Sequence, residues 1–154
     1  MANTYSQIYI HFVFATKKRQ SILRPGAKEE FYRYCAGLVR DFNCFFQCMG
    51  GVEDHIHLLV GLDPVLSVSE FAQKFKANTS RLINSKGWVI GKFEWQSGFG
   101  AFSVSQSGLE RVRQYLSRQD EHHKSKSFMM EYEAMLTKHQ VAYTKEYIFV
   151  EPSD

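Results

Sequence analysis

Residues 5–15, YSQIYIHFVFA, contain no Gly or Pro and are crowded with aromatic and β-branched side chains. Such a run suits a pleated surface and predicts a strand. Side chains two positions apart share a face. Ile8, Ile10, Phe12 and Phe14 therefore fall on one side, and Tyr9, His11 and Val13 on the other. A second run, EDHIHLLVG at 53–61, alternates in the same way. Ile56, Leu58 and Val60 make its apolar face, and Glu53, His55 and His57 share the opposite one. Two strands with one apolar face each need helices to cover them.

The intervening segments supply those helices. Pro25 stands where a helix can begin, and Phe31, Tyr34, Cys35, Leu38 and Phe42 recur at helical spacing over 26–42. Residues 44–50 read as a short strand, Gly50-Gly51 as a turn, and 53–61 as the hairpin partner. Asp63-Pro64 ends that strand. Ser67 or Ser69 can cap the next helix, with Glu70 in its first turn. There Val68, Phe71, Phe75 and Leu82 form the buried stripe, and Lys74, Asn78 and Arg81 lie on a polar face. Residues 86–100 read as a loop and AFSVS at 101–105 as a strand. Helices follow over 108–121, with Ser107 as a cap, and over 125–139. The order β-α-β-β-α-β is the ferredoxin-like split βαβ pattern of an α+β fold, with C-terminal helices added. In that topology the first and third strands are neighbours.

A chain of 154 residues with 44% hydrophobic content suits one domain with a real core. The aromatic share of 15% fits a dense core or rings that stack on bases. A net charge of +3 is compatible with a polyanionic partner without requiring one. Three cysteines, an odd number, argue against a disulfide framework. No apolar run approaches the length of a membrane span, about 18 residues. The start, MANTYSQIYIHF, lacks a basic region ahead of a long apolar core, so the expectation is no signal peptide and a cytoplasmic location.

His55 and His57 project together from their strand, and two neutral imidazoles side by side can hold a divalent ion. The plainer alternative is two hydrogen-bonded strand histidines, because His-Ile-His is a short pattern. A second constellation bears on the choice. Tyr115 and Gln119 are four apart and share one face of a helix whose apolar stripe is Leu109, Val112 and Leu116. A phenol can attack a phosphodiester while a nearby ion stabilises the developing charge. An amide oxygen at Gln119 can complete the ligand set.

The residues His55-Ile56-His57, the Y-x-x-x-Q run Tyr115 to Gln119, and the stretches HFVFATKKRQ, WQSGFGAFSVS and QDEHH resemble the IS200/IS605-type transposases. These are the small Y1 tyrosine members of the HUH endonuclease superfamily. The resemblance spans nearly the whole chain, in order, and implies a single Y1 transposase-like domain over 1–154. It implies cleavage and rejoining of single-stranded DNA at transposon ends through a 5′-phosphotyrosine link at Tyr115. It further implies Mg²⁺ or Mn²⁺ on His55, His57 and Gln119, a homodimer whose tyrosine can complete the partner's site, and recognition of DNA hairpins near the element ends.

Around this centre, His11 is a candidate to buttress the ligands, Glu53 to buttress them or act as an alternative ligand, and His122 or His123 to meet the scissile phosphate, against plain roles as packed or exposed groups. Lys17, Lys18 and Arg19 in a loop, and Lys74, Asn78 and Arg81 on a helix, are candidates for phosphate contacts, against a plain solvated surface. A domesticated nuclease acting on repeats would carry the same residues. Two other classes compete. One is a non-catalytic ferredoxin-like module that binds nucleic acid through an aromatic strand. The other is a metal-dependent hydrolase of small substrates.

Overall fold

The computed structural model describes residues 3–17, 26–52, 54–119 and 127–144. Four strands form one antiparallel sheet: β1 (Tyr9–Ala15), β2 (Phe45–Val52), β3 (His55–Gly61) and β4 (Gly100–Val104). Their spatial order is β2-β3-β1-β4. The helices are α1 (Ala27–Asp41), α2 (Val68–Lys86), α3 (Leu109–Ser117) and α4 (Phe128–Lys138). This is the βαββαβ order of the split βαβ fold, with β1 and β3 adjacent at the centre and two helices added after β4.

The alternation in β1 and β3 decides which helices go where. Ile10, Phe12 and Phe14 join Ile56, Leu58 and Val60 under α1 and α2, in a cluster with Phe31, Cys35, Phe71 and Phe75. The ring of Phe12 stacks on Phe71 at 4.7 Å, and Phe14 on Phe75 at 5.0 Å. Phe12 and Phe14 have no exposed surface, so they serve the core and offer no stacking platform to nucleic acid. The other face is covered by α3 and α4. Leu59 packs on Leu109 and Leu116 of α3, and Val13 and Phe102 pack on Phe128, Tyr132 and Leu136 of α4.

Three local expectations change. Gly50 and Gly51 lie inside β2, paired with His57 and Ile56, and form no turn. They are glycines because of their neighbours. A Cβ on Gly50 would stand 2.0 Å from the Leu116 carbonyl oxygen of α3, and one on Gly51 would stand 2.7 Å from the His55 carbonyl oxygen. The absent Cβ lets α3 lie directly on the β2–β3 hairpin. The third helix begins at Leu109 after a 3₁₀ turn, Gln106–Gly108, and has no side-chain cap; Ser107 Oγ meets Ser105 Oγ instead. That helix ends at Ser117 rather than 121, with Arg118 leaving helical geometry at φ −108° and ψ 22°. Ser67 caps α2 by accepting from the Glu70 N–H at 3.0 Å. Cys35, Cys44 and Cys48 are free thiols. Among the described residues no helix is long and apolar enough to cross a membrane.

Candidate functional site

β3 carries His55 and His57 on the face beneath α3 and α4. Strand parity predicts that they point away from the apolar core, and they do, but they do not look out to solvent. Both are fully buried, because α3 and α4 close over them. His55 stacks on Phe128 of α4 with ring centroids 3.9 Å apart. His57 meets the Tyr115 ring edge-on at 5.7 Å.

Two helices then bring oxygen donors to the pair. Gln119, just past α3, is buried and places Oε1 3.3 Å from His55 Nε2. From α4 comes Glu131, 3% exposed, whose Oε1 lies 2.9 Å from His57 Nε2 and 3.3 Å from His55 Nε2. Its Oε2 accepts a hydrogen bond from the Tyr115 hydroxyl, and another from Gln119 Nε2 at 3.4 Å. One carboxylate therefore ties both histidines, the amide and the phenol together.

The sequence places Glu131 in a helix over 125–139 and does not single it out. A signal was there. Phe128, Glu131, Tyr132, Met135 and Leu136 recur at i, i+3, i+4, i+7 and i+8, the spacing of a core-facing stripe. A carboxylate in that stripe must be buried, and a buried carboxylate needs partners.

Neighbours on the far side of each imidazole fix the rings. Asp54 Oδ1 lies 2.9 Å from His55 Nδ1, and His11 Nε2 lies 2.8 Å from His57 Nδ1. His11 reaches His57 because β1 pairs with β3 in a register that sets Val13 opposite His57 and His11 opposite Leu59, making His11 a diagonal neighbour. Such partners orient ligand histidines. For Nε2 of either ring to offer a lone pair to an ion, Nδ1 must carry the proton and donate it to Asp54 or His11. Both acceptors are in place.

The charge pattern follows from these contacts. Burial alone would raise the Glu131 pKa, but hydrogen bonds from His55, His57 and Tyr115 and the charge of His57 hold it well below the usual carboxylate range. Burial would lower the His55 pKa, but its bonds to Asp54 and Glu131 outweigh this and raise it. His11 is pushed well down, by burial first and then by His57. Tyr115 is pushed up by burial and by its carboxylate partner, with the Gln119 bond opposing. The resting phenol thus keeps its proton, pointed at Glu131.

The donor set fits a divalent cation. His55, His57 and Glu131 each offer one ligand atom, and these atoms lie within 4.8 Å of one another. Ligands at adjacent corners of an octahedron, about 2.1 Å from its centre, stand about 3.0 Å apart. The separations of 2.9 Å and 3.3 Å from Glu131 Oε1 to the two Nε2 atoms suit that geometry. Two imidazoles with hard oxygens are donors that Mg²⁺ and Mn²⁺ both accept.

Other expected residues lie elsewhere. Lys74, Asn78 and Arg81 sit on α2, on the opposite side of the sheet from the histidines. Asn78 Nδ2 donates to the Lys74 carbonyl at 2.8 Å, and Arg81 donates to Asn78 Oδ1 at 3.4 Å. Lys17 forms a 3.0 Å ion pair with Glu94. Lys18, Arg19, Glu53, His122 and His123 lie outside the described residues.

Fold and cluster together define an α+β protein with a candidate metal centre of the His-hydrophobic-His type, set against a helix-borne tyrosine. The sequence matches the family model described as "Transposase IS200 like" over residues 4–119, and the chain belongs to that family. The matched span holds His55, His57, Tyr115 and Gln119 and ends before Glu131. Among solved structures, the chain is similar to a putative transposase from Deinococcus radiodurans R1, with 19% identity, a TM-score of 0.60, and 77% of this chain and 95% of the other covered. It is also similar to a REP-associated tyrosine transposase bound to a REP hairpin, with 13% identity, a TM-score of 0.56, and 100% of this chain and 93% of the other covered. At these identities the likeness is one of fold. A search of curated proteins gave no match.

Proposed function

We propose that the protein is a metal-dependent single-stranded DNA endonuclease and strand transferase, a transposase that cuts and rejoins element ends through Tyr115. One observation carries this reading: the Tyr115 hydroxyl and both histidine Nε2 atoms converge on the single carboxylate of Glu131. His55 and His57, with Glu131 and Gln119, hold Mg²⁺ or Mn²⁺. When bound, the ion supplies positive charge where the phosphoryl oxygens gain negative charge in the transition state.

The chain's own groups do the rest. The Tyr115 oxygen attacks the scissile phosphorus, and the bond from phosphorus to the 3′-oxygen breaks. Glu131 Oε2 holds the Tyr115 hydroxyl in place as its acceptor; the phenol proton leaves to solvent as the oxygen attacks, and the departing 3′-oxygen takes a proton from solvent. The DNA leaves with a free 3′-hydroxyl, and the 5′-phosphate stays on Tyr115. Attack by another 3′-hydroxyl reverses these steps and rejoins strands without an external energy source. His11 and Asp54 keep the two imidazoles oriented throughout.

Membership of the family supports DNA hairpins at element ends as the substrate, a homodimer with shared active sites as the working form, and the cytoplasm as its location. The solved relative bound to a REP hairpin supports the same substrate class. The test is a denaturing gel. Protein is incubated with Mn²⁺ and labelled single-stranded DNA carrying the hairpins that flank its own gene. A covalent adduct in the parent, absent from Tyr115→Phe and from a chelated control, is expected. An adduct that survives Tyr115→Phe overturns the assignment.

A further inference from the structure

α3 and α4 do not close completely where they approach the sheet. A cavity of about 300 Å³ remains, with Tyr115 and Glu131 in its wall. Of the proposed metal donors only Glu131 reaches the cavity; His55, His57 and Gln119 do not line it, whereas His11, the partner of His57, does. Its sides include Val112 and Met135, and Arg111 of α3 and Lys138 of α4 reach it from opposite helices. His139 also lines it, and its ring lies 4.6 Å from that of Phe102. The proposed DNA chemistry passes the Tyr115 hydroxyl but leaves this space without a role.

We infer that this cavity holds the nucleotide on the 3′ side of the scissile phosphate, the one left attached to Tyr115 after cleavage; the inference rests on the nuclease reading above. Three properties select that occupant. The volume lies at the low end for ligand pockets, which admits one nucleotide and excludes a duplex. A flat base suits walls built from a valine, a soft thioether and an imidazole already paired with another ring. Arg111 and Lys138 are exposed cations with no ion pair among the described residues, and they complement the 3′-phosphate of the same sugar, whose 5′-phosphate is the one at Tyr115. A base seated there would fix the register of the strand, so that only one phosphate meets Tyr115.

The test uses free nucleotides and needs neither metal nor cleavage. Protein carrying ¹³C-methyl methionine is titrated with each deoxynucleoside 5′-monophosphate, and with deoxyribose 5-phosphate as the baseless probe. The Met135 methyl signal is expected to shift saturably with at least one nucleotide and to stay still with the sugar phosphate. Met49, in the core on the other side of the sheet, stays still and reports an intact fold. Ala134 lines the same cavity and is exposed, so Ala134→Phe fills the space without disturbing the core and abolishes the shift. No Met135 shift with any nucleotide, an equal shift with the sugar phosphate, or a shift that persists in Ala134→Phe overturns the inference. The two readings fail separately. A DNA adduct without a Met135 shift removes the pocket and keeps the chemistry, whereas the shift without any adduct keeps a nucleotide-binding cavity but overturns its assignment to the cleaved strand together with the chemistry.

Discussion

The two faces of one sheet are built to opposite rules. Under α1 and α2, β1 and β3 present Ile10, Phe12, Phe14, Ile56, Leu58 and Val60, all hydrocarbon. Under α3 and α4, the same two strands present His11, Val13, His55, His57 and Leu59. Residues adjacent in the chain thus serve opposite purposes. Ile56, between the two histidines, is as completely buried as they are. The difference teaches how a small domain can afford a buried polar centre. Stability is gathered on one face, so the other can bury imidazoles and a carboxylate whose desolvation must be offset by hydrogen bonds. Every one of those groups has partners: Asp54 and Glu131 for His55, His11 and Glu131 for His57, and Tyr115 and Gln119 for Glu131.

That division can be broken deliberately. The largest expected effect on stability comes from the apolar face. Phe12→Ala removes a ring stacked on Phe71, and its cost should be about 3–5 kcal/mol in chemical denaturation. The protein that remains folded should bind Mn²⁺ as the parent does. Loss of metal binding there would mean that the faces are not independent.

Gly50→Ala should come next. The new methyl meets the backbone of α3, which cannot give way without moving the helix. A loss of about 1–3 kcal/mol is expected, together with loss of the DNA adduct, because α3 carries Tyr115. Parent-like adduct formation would show that the nucleophile's placement does not depend on this close approach.

On the polar face, His11→Phe keeps a ring between β1 and Phe102 but removes the partner of His57 Nδ1. Metal affinity should fall about 10–100-fold, read by calorimetric titration, with little change in the denaturation midpoint. A large loss of stability with unchanged affinity would assign His11 to the core instead. The smallest effect is expected at Lys17→Ala. Its pair with Glu94 is exposed, so the midpoint should not move, and any fall in DNA affinity would report a phosphate contact.

How much of this was legible in the sequence follows from the range of each signal. Strand parity is local, so the opposed faces of Ile56 and His55/His57 could be read directly. The helical i, i+4 relation pairs Gln119 with Tyr115, but α3 ends at Ser117, and what joins the two side chains is their shared partner Glu131. His11 needed one further step, the adjacency of β1 and β3, which the βαββαβ order supplies. Gly50 and Gly51 misled, because two glycines ordinarily mark a turn, whereas their reason here is a helix that arrives some 65 residues later in the chain. Asp54 sits at a strand start with nothing local to mark it as the partner of His55. Glu131 was legible only as a charge out of place on an apolar stripe. What it touches depends on how α4 docks, and local spacing does not encode that.

The central claim is that α4 completes the centre, with Glu131 joining the histidine pair at one ion beside Tyr115. The most direct measurement is Mn²⁺ binding followed by electron paramagnetic resonance, on the parent, His57→Ala and Glu131→Ala. The parent should bind one ion per chain, His57→Ala should bind none at that site, and Glu131→Ala should bind markedly more weakly while remaining folded. Parent-like binding by Glu131→Ala would contradict the claim and leave the carboxylate as a partner of the tyrosine alone.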